Sequence, residues 1–164
     1  MAKTIVITGA SNGIGAAAAR RLTNAGHHVV IVGRSAQKTA AIAREIGADH
    51  HVADFSRLDD VRRLAAAVDA RYAHVDVLAN NAGAYFPEPT RTVDGFQATF
   101  QVNHLAPFLL TRLLMDKLIT SRAAVIQTSS AGARMGRVDQ DDFERDKNFN
   151  PRVAYATAKL DVTG

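Results

Sequence analysis

Two side chains of complementary chemistry stand four positions apart late in the sequence, the phenol of Tyr155 and the amine of Lys159 in YATAK. On a helix that spacing turns both to one face. An ammonium beside a phenol favours the phenolate and brings proton transfer nearer neutral pH. Tyr155 is therefore a candidate general acid or base. A second segment, near the N-terminus, has phosphate-binding character: Thr8-Gly9-Ala10-Ser11-Asn12-Gly13-Ile14-Gly15. Its glycines let the backbone turn tightly and approach a pyrophosphate. A helix opening at that point presents unpaired N–H groups and a partial positive charge. Ser11 and Asn12 add side-chain donors. A glycine turn without a ligand would share this spacing, but a strand before it and a helix after it favour the phosphate site. The spacing is GxxxGxG, not GxGxxG.

The end of the following apolar run reads Val32-Gly33-Arg34-Ser35. An acid there would bond a ribose 2′-hydroxyl, whereas an arginine would meet a 2′-phosphate. With no acid present, Arg34 and Ser35 point to NADP, and NAD is the alternative. Arg34 as a solvated surface charge is the competing reading.

These residues need a frame, and the hydrophobic pattern supplies one. Short β-branched or apolar runs at residues 4–8, 28–32, 50–55, 75–79 and 123–128 predict five strands. Helical segments are expected between them. One covers residues 13–25 before Gly26, and one covers 35–46 with Ser35 as N-cap and Gly47 as stop. A third is opened by Ser56 and carries apolar Leu58, Val61, Leu64, Ala65 and Val68, and a long pattern spans about 96–118. Alternation at this spacing implies an α/β fold, a Rossmann-like doubly wound parallel sheet in one domain over residues 1–164. The charge-dense stretch 136–149 is expected to lie outside the sheet, near the ligand end.

The ordered series TGASNGIG, ADFS, NNAG, VNHLAPFLLT, TSS and YATAK resembles the short-chain dehydrogenase/reductase family, from the first strand to the end of the chain. Its middle segment is similar to the branch containing retinol dehydrogenases and their bacterial relatives. The resemblance implies hydride transfer between a nicotinamide cofactor and an alcohol or carbonyl substrate. It places Gly9, Ser11, Asn12, Gly13, Ile14 and Gly15 at the cofactor phosphates. Asp54 and the backbone of Phe55 fall at the adenine, with a turn role for Asp54 as the alternative. Asn81, Ala82 and Gly83 fall beside the ribose, where a plain turn would also suit Asn and Gly. Tyr155 and Lys159 become catalytic, with Lys159 also holding the nicotinamide ribose. Ser130 would bond the substrate oxygen, with Ser129 as the alternative, and Asn103 would anchor a water leading to the lysine.

Composition narrows the classes further. The 164 residues carry 20 Lys and Arg against 16 acids, a net charge of +4 without any long run of one sign, so a nucleic-acid surface is not expected. The absence of Cys excludes disulfides, thiolate metal sites and thiol catalysis. The pairs His27–His28 and His50–His51 lack acidic or Cys partners at metal spacing in sequence, and His104 reads as packing. No apolar stretch reaches the length of a membrane span and the start does not read as a signal peptide, so a cytoplasmic address is expected. Family members are longer, so the last strands of the usual fold are expected to be missing. Residues 161–164 are weak helix formers, the fifth strand should be an exposed edge, and a homo-oligomer would cover what is left open. A non-catalytic dinucleotide-binding module, or a truncated relic of such an enzyme, is the alternative function. Sugar-nucleotide epimerase chemistry shares Tyr-x-x-x-Lys, but the glycine spacing argues against it.

Overall fold

The computed structural model describes residues 1–147 and 149–161. Its centre is a parallel sheet of five strands in the order β3-β2-β1-β4-β5. These are β1 (Thr4–Thr8), β2 (His28–Gly33), β3 (Asp49–Val52), β4 (Val77–Asn80) and β5 (Ala124–Gln127). Alternate residues of a strand face opposite sides, and both sides of the central strands are covered. On one, Ile5, Ile7, Val29 and Ile31 pack with Ala19 of helix α1 (Gly13–Asn24) and Ala43 of α2 (Ala36–Ile46). On the other, Val6, Val30, Val32 and Leu78 meet Val61, Leu64 and Val68 of α3 (Leu58–Arg71) and Leu110 of α5 (Ala106–Leu113). Burial on two faces explains why these strands read as continuous apolar runs. No described helix is long and apolar enough to cross a membrane.

Four of the five strands start and stop within two residues of the expected places. The third departs, because Ala53, Asp54 and Phe55 leave the sheet instead of extending it. Ala53 keeps one bond to Gly33 O (3.2 Å), and Asp54 then folds back to accept from the N–H and hydroxyl of Ser56 (3.0 and 2.8 Å). That turn uses up the Ser56 hydroxyl, so Ser56 does not cap α3. Arg57 holds the cap position without a side-chain bond. Asp94, from a distant loop, accepts from Leu58 N–H instead (2.9 Å), and the same oxygen accepts from Gln101 Nε2 (2.9 Å). Ser35 does cap α2, accepting from Lys38 N–H at 3.3 Å, and Gly47 closes that helix.

The long helix expected at 96–118 is broken into α4 (Ala98–Phe100), a π-turn (Gln101–Leu105), α5, and α6 (Met115–Thr120). Its start moves to Ala98 because Arg91 and Gln97 form an antiparallel bridge and the Gln97 side chain caps Thr99 and Phe100. The widening has two causes. The Asn103 amide donates to Thr99 O (2.9 Å), the carbonyl its own backbone would use in an α-helix. Pro107 has no N–H to return to the Asn103 carbonyl. The ladder shifts by one, and Ala106 N–H reaches Gln101 O.

Strand pairing brings together what the sequence keeps apart. Val30 lies opposite Asp49, which sets His28 Nε2 3.3 Å from the Asp49 carboxylate, an acidic partner that local spacing did not show. Asp49 is also gripped by Arg71 (2.8 Å) and the Tyr72 hydroxyl (3.1 Å). Chiefly through the Arg71 bond, its carboxyl is held below the usual range. Tyr72 is pushed up to about 12, first by burial and then by the Asp49 charge. Among the described residues no group of three His, Cys, Asp or Glu could hold a metal. β5 is exposed along its whole length, as an edge strand should be. Helix α7 (Pro151–Asp161) begins at Pro151, where the missing N–H and fixed φ suit a first helical position, while residues 162–164 lie outside the described part.

The cap assignment is testable. Asp94→Ala should lower unfolding free energy by about 1–2 kcal/mol, through the lost cap and the orphaned Gln101 amide. Ser56→Ala should cost clearly less. Urea denaturation of both variants checks the order, and a larger cost for Ser56→Ala would return the cap to Ser56.

Candidate active site

The carboxyl ends of the strands open into one cleft of about 740 Å³, within the size range of cofactor sites. One end of it is the glycine turn between β1 and α1. Gly9 sits at φ +67°, and a Cβ there would lie 2.8 Å from Ala82 Cα, so both conformation and contact require glycine. Asn12 precedes α1 in an extended conformation and makes no side-chain cap bond, so among the described residues no side-chain cap answers the first N–H groups of that helix. Ser11, Gly13, Ile14 and Gly15 line the cleft beside it.

The loop is tied to the next strand end by Thr8. Its hydroxyl oxygen accepts from the N–H groups of Asn81 and Ala82, both at 3.0 Å, and donates to Ala79 O (3.3 Å). The Asn81 amide returns to Thr8 O (2.9 Å). Asn81 therefore braces the glycine loop with its side chain while lining the cleft. Ala82 and Gly83 line it too. A Cβ on Gly83 would stand 2.7 Å from Asn103 Oδ1 and 2.9 Å from Lys159 Nζ.

At the far end of β2, Arg34 and Ser35 line the same cleft, joined by Lys38. Sequence reading missed Lys38. The signal was there, since Lys38 stands three residues after the N-cap Ser35 and so returns to that side of the helix. Asp54 and Phe55, just past the neighbouring end of β3, line the cleft as well, and one Asp54 oxygen is already taken by Ser56. Asp54 thus does occupy a turn, as the alternative reading held, within the cleft wall.

Ser129, Ser130, Tyr155 and Lys159 complete the cleft. Lys159 is 3% exposed, donates from Nζ to Thr128 O (3.0 Å), and is held below the usual lysine range by burial. Its Nζ stands 5.9 Å from the centre of the Tyr155 ring, so the four-residue spacing does set amine and phenol side by side. The two serines divide. Ser129 donates its hydroxyl to Lys159 O (2.8 Å). Ser130 accepts from Gly132 N–H (3.1 Å), which leaves its hydroxyl hydrogen to donate. Asn103 is buried behind the cleft: it accepts from Ala84 N–H (3.1 Å) and donates to Ala84 O (2.7 Å) as well as to Thr99 O. The stretch 136–149 lies, in its described residues, outside the sheet. It reaches the loop before α4, where Glu144 accepts from Gln97 N–H (2.6 Å) and Asp146 pairs with Arg91. Asn148, within that stretch, is outside the described residues.

Thr8→Val keeps the shape and removes one acceptor from two N–H groups. It should cost about 2–3 kcal/mol in urea unfolding. A cost below about 0.5 kcal/mol would show that the loop and β4 are held together some other way.

With this geometry in place, comparison with known proteins is informative. Residues 3–142 match the family model described as short chain dehydrogenase. The chain is 43% identical to "Putative daunorubicin C-13 ketoreductase DnrU" of Streptomyces sp. (strain C5), over 96% of this chain and 56% of that protein. It is 37% identical to human retinol dehydrogenase 13, over 98% of this chain and 51% of that one. It spans about half the length of these relatives. A solved metagenomic short-chain oxidoreductase in complex with NADP superposes with TM-score 0.76 at 34% identity, over 99% of this chain and 72% of that one. The resemblance carried by the six motifs and the all-parallel order of the sheet agree with these matches: the chain belongs to the short-chain dehydrogenase/reductase family.

Proposed function

We propose that this chain binds NADP in the cleft and works as an oxidoreductase on an alcohol or carbonyl substrate. One observation carries the reading: a glycine loop suited to a pyrophosphate and a Ser–Tyr–Lys group suited to a carbonyl open into one continuous cleft. The residues fit a dinucleotide. Gly9, Ser11, Asn12, Gly13, Ile14 and Gly15 would take the pyrophosphate at uncapped N–H groups. Asp54 and Phe55 would flank the adenine, and Asn81, Ala82 and Gly83 the ribose side. Arg34, Ser35 and Lys38 would meet a 2′-phosphate; two cations there, and no acid at the end of β2, favour NADP over NAD. The NADP-bound relative supports the same choice for its own chain.

The bound nicotinamide would supply the hydride acceptor or donor. In the reducing direction Ser130 donates a hydrogen bond to the substrate carbonyl oxygen, and Tyr155 gives that oxygen its proton as hydride reaches the carbon. In the oxidising direction Tyr155 takes the alcohol proton. Lys159, oriented by Thr128 O, keeps further N–H donors for the nicotinamide ribose and a positive charge beside the phenol. The Asn103 side chain holds Ala84 and Thr99, so the water expected there would bond its backbone carbonyl, which Pro107 leaves without an α-helical donor. The proposal extends to a homo-oligomer, supported by the exposed apolar side chains Phe108 and Leu113 on α5. Light scattering after size exclusion that shows only monomer would remove that part.

Titration by nicotinamide fluorescence should give tighter binding of NADPH than NADH. The double substitution Arg34→Ala and Lys38→Ala should weaken NADPH about 10–100-fold and NADH hardly at all. Tyr155→Phe should leave binding intact and lower carbonyl reduction about 10²–10⁴-fold. Equal loss for both cofactors would overturn the 2′-phosphate assignment. Binding without turnover in the unsubstituted chain would favour the non-catalytic dinucleotide-binding module.

A further inference from the structure

The chain leaving Gly83 alternates. Ala84 and Phe86 pack against the core, and Tyr85 between them is 50% exposed. Alternation of this kind sets Tyr85 on the side opposite its neighbours. Its place is determined by hydrogen bonds, since Asn103 grips both the N–H and the carbonyl of Ala84, one residue earlier. The Tyr85 ring lies 5.9 Å from the Tyr155 ring at 69°, an edge-to-face contact. Tyr155 thus has the Lys159 amine near its ring and Tyr85 as an aromatic neighbour. A large aromatic ring held half exposed beside the reacting phenol offers area against which a bound molecule can pack. A flat, polarisable surface selects for a flat partner, because stacked and edge-to-face contacts add to simple burial.

We propose that Tyr85 is a specificity-determining residue, packing against the substrate as it lies on Tyr155, and that the favoured substrates are ketones or aldehydes whose carbonyl is conjugated to an aromatic or other planar group. This rests on the carbonyl chemistry proposed above. Tyr85 holds the planar group, and the conjugated carbonyl in the same plane is thereby directed to Tyr155 and Ser130.

The test measures binding of acetophenone and 2-butanone by ligand-observed NMR, with and without NADP, alongside turnover with NADPH. The unsubstituted protein should prefer acetophenone. Tyr85→Ala should weaken acetophenone binding about tenfold and leave 2-butanone within about twofold, while Tyr85→Phe should retain the preference. No preference in the unsubstituted protein, or equal losses for both ketones in Tyr85→Ala, would overturn the assignment without need of any variant's turnover. An aromatic preference without turnover would instead keep Tyr85 as the aromatic contact and remove the hydride-transfer reading. Turnover lost in Tyr155→Phe with no aromatic preference would keep that reading and remove Tyr85.

Discussion

Everything at the carboxyl edge of the sheet depends on one hydroxyl. Thr8 is the last residue of β1, and its side chain accepts from two successive N–H groups at the end of β4. The two central strands are already paired as far as Ile7 and Ala79, and Thr8 continues that pairing where the backbones diverge. β1 leads to the glycine loop, and β4 leads to Gly83, Ala84 and Tyr85. A single bracket therefore ties the glycine-loop end of the cleft to the segment that leads toward Tyr155. Gly9 lets the two chains touch, because any side chain there would strike Ala82. In a low-dielectric crevice, leaving two N–H groups without an acceptor would cost more than the hydroxyl itself brings.

A second constraint sits behind the first. Asn103 and Pro107 convert an α-helix into a π-turn where the helix passes the cleft. The widened turn lets one amide serve three backbone groups at Ala84 and Thr99. Gly83 must then be glycine, since Asn103 Oδ1 and Lys159 Nζ already occupy the space a Cβ would need. The lysine is buried and oriented by Thr128 O, with its basicity lowered by burial. Glycine loop, π-turn and helix α7 are thus held by polar contacts of short reach, while the apolar clusters on either side of the sheet supply the bulk of the stability.

Much of this frame was legible in the sequence for physical reasons. Doubly buried strands must be apolar throughout, and caps such as Ser35 and Gly47 act locally, so β1, β2 and α2 could be placed from short windows. What escaped depends on distance in sequence. Ser56 carries cap chemistry, yet Asp54 claims its hydroxyl and Asp94 supplies the cap from 36 residues away. The interruption at Asn103 has a visible sign in Pro107, but the helical periodicity of 96–118 hides it. His28 and Asp49 become partners only through strand register. Within the cleft, Lys38 was missed because it carries no motif. Ser130 could be separated from Ser129 only by hydrogen bonds that a sequence does not display.

The central claim is that one cleft holds a 2′-phosphorylated dinucleotide with its nicotinamide toward Tyr155. A crystal structure of the protein grown with NADP tests it most directly. The account predicts the pyrophosphate over Gly13–Gly15, the 2′-phosphate within about 3 Å of Arg34 and Lys38, and the nicotinamide end beside Ser130 and Tyr155. A dinucleotide bound in the reverse sense, or one whose 2′-phosphate avoids both cations, would contradict it.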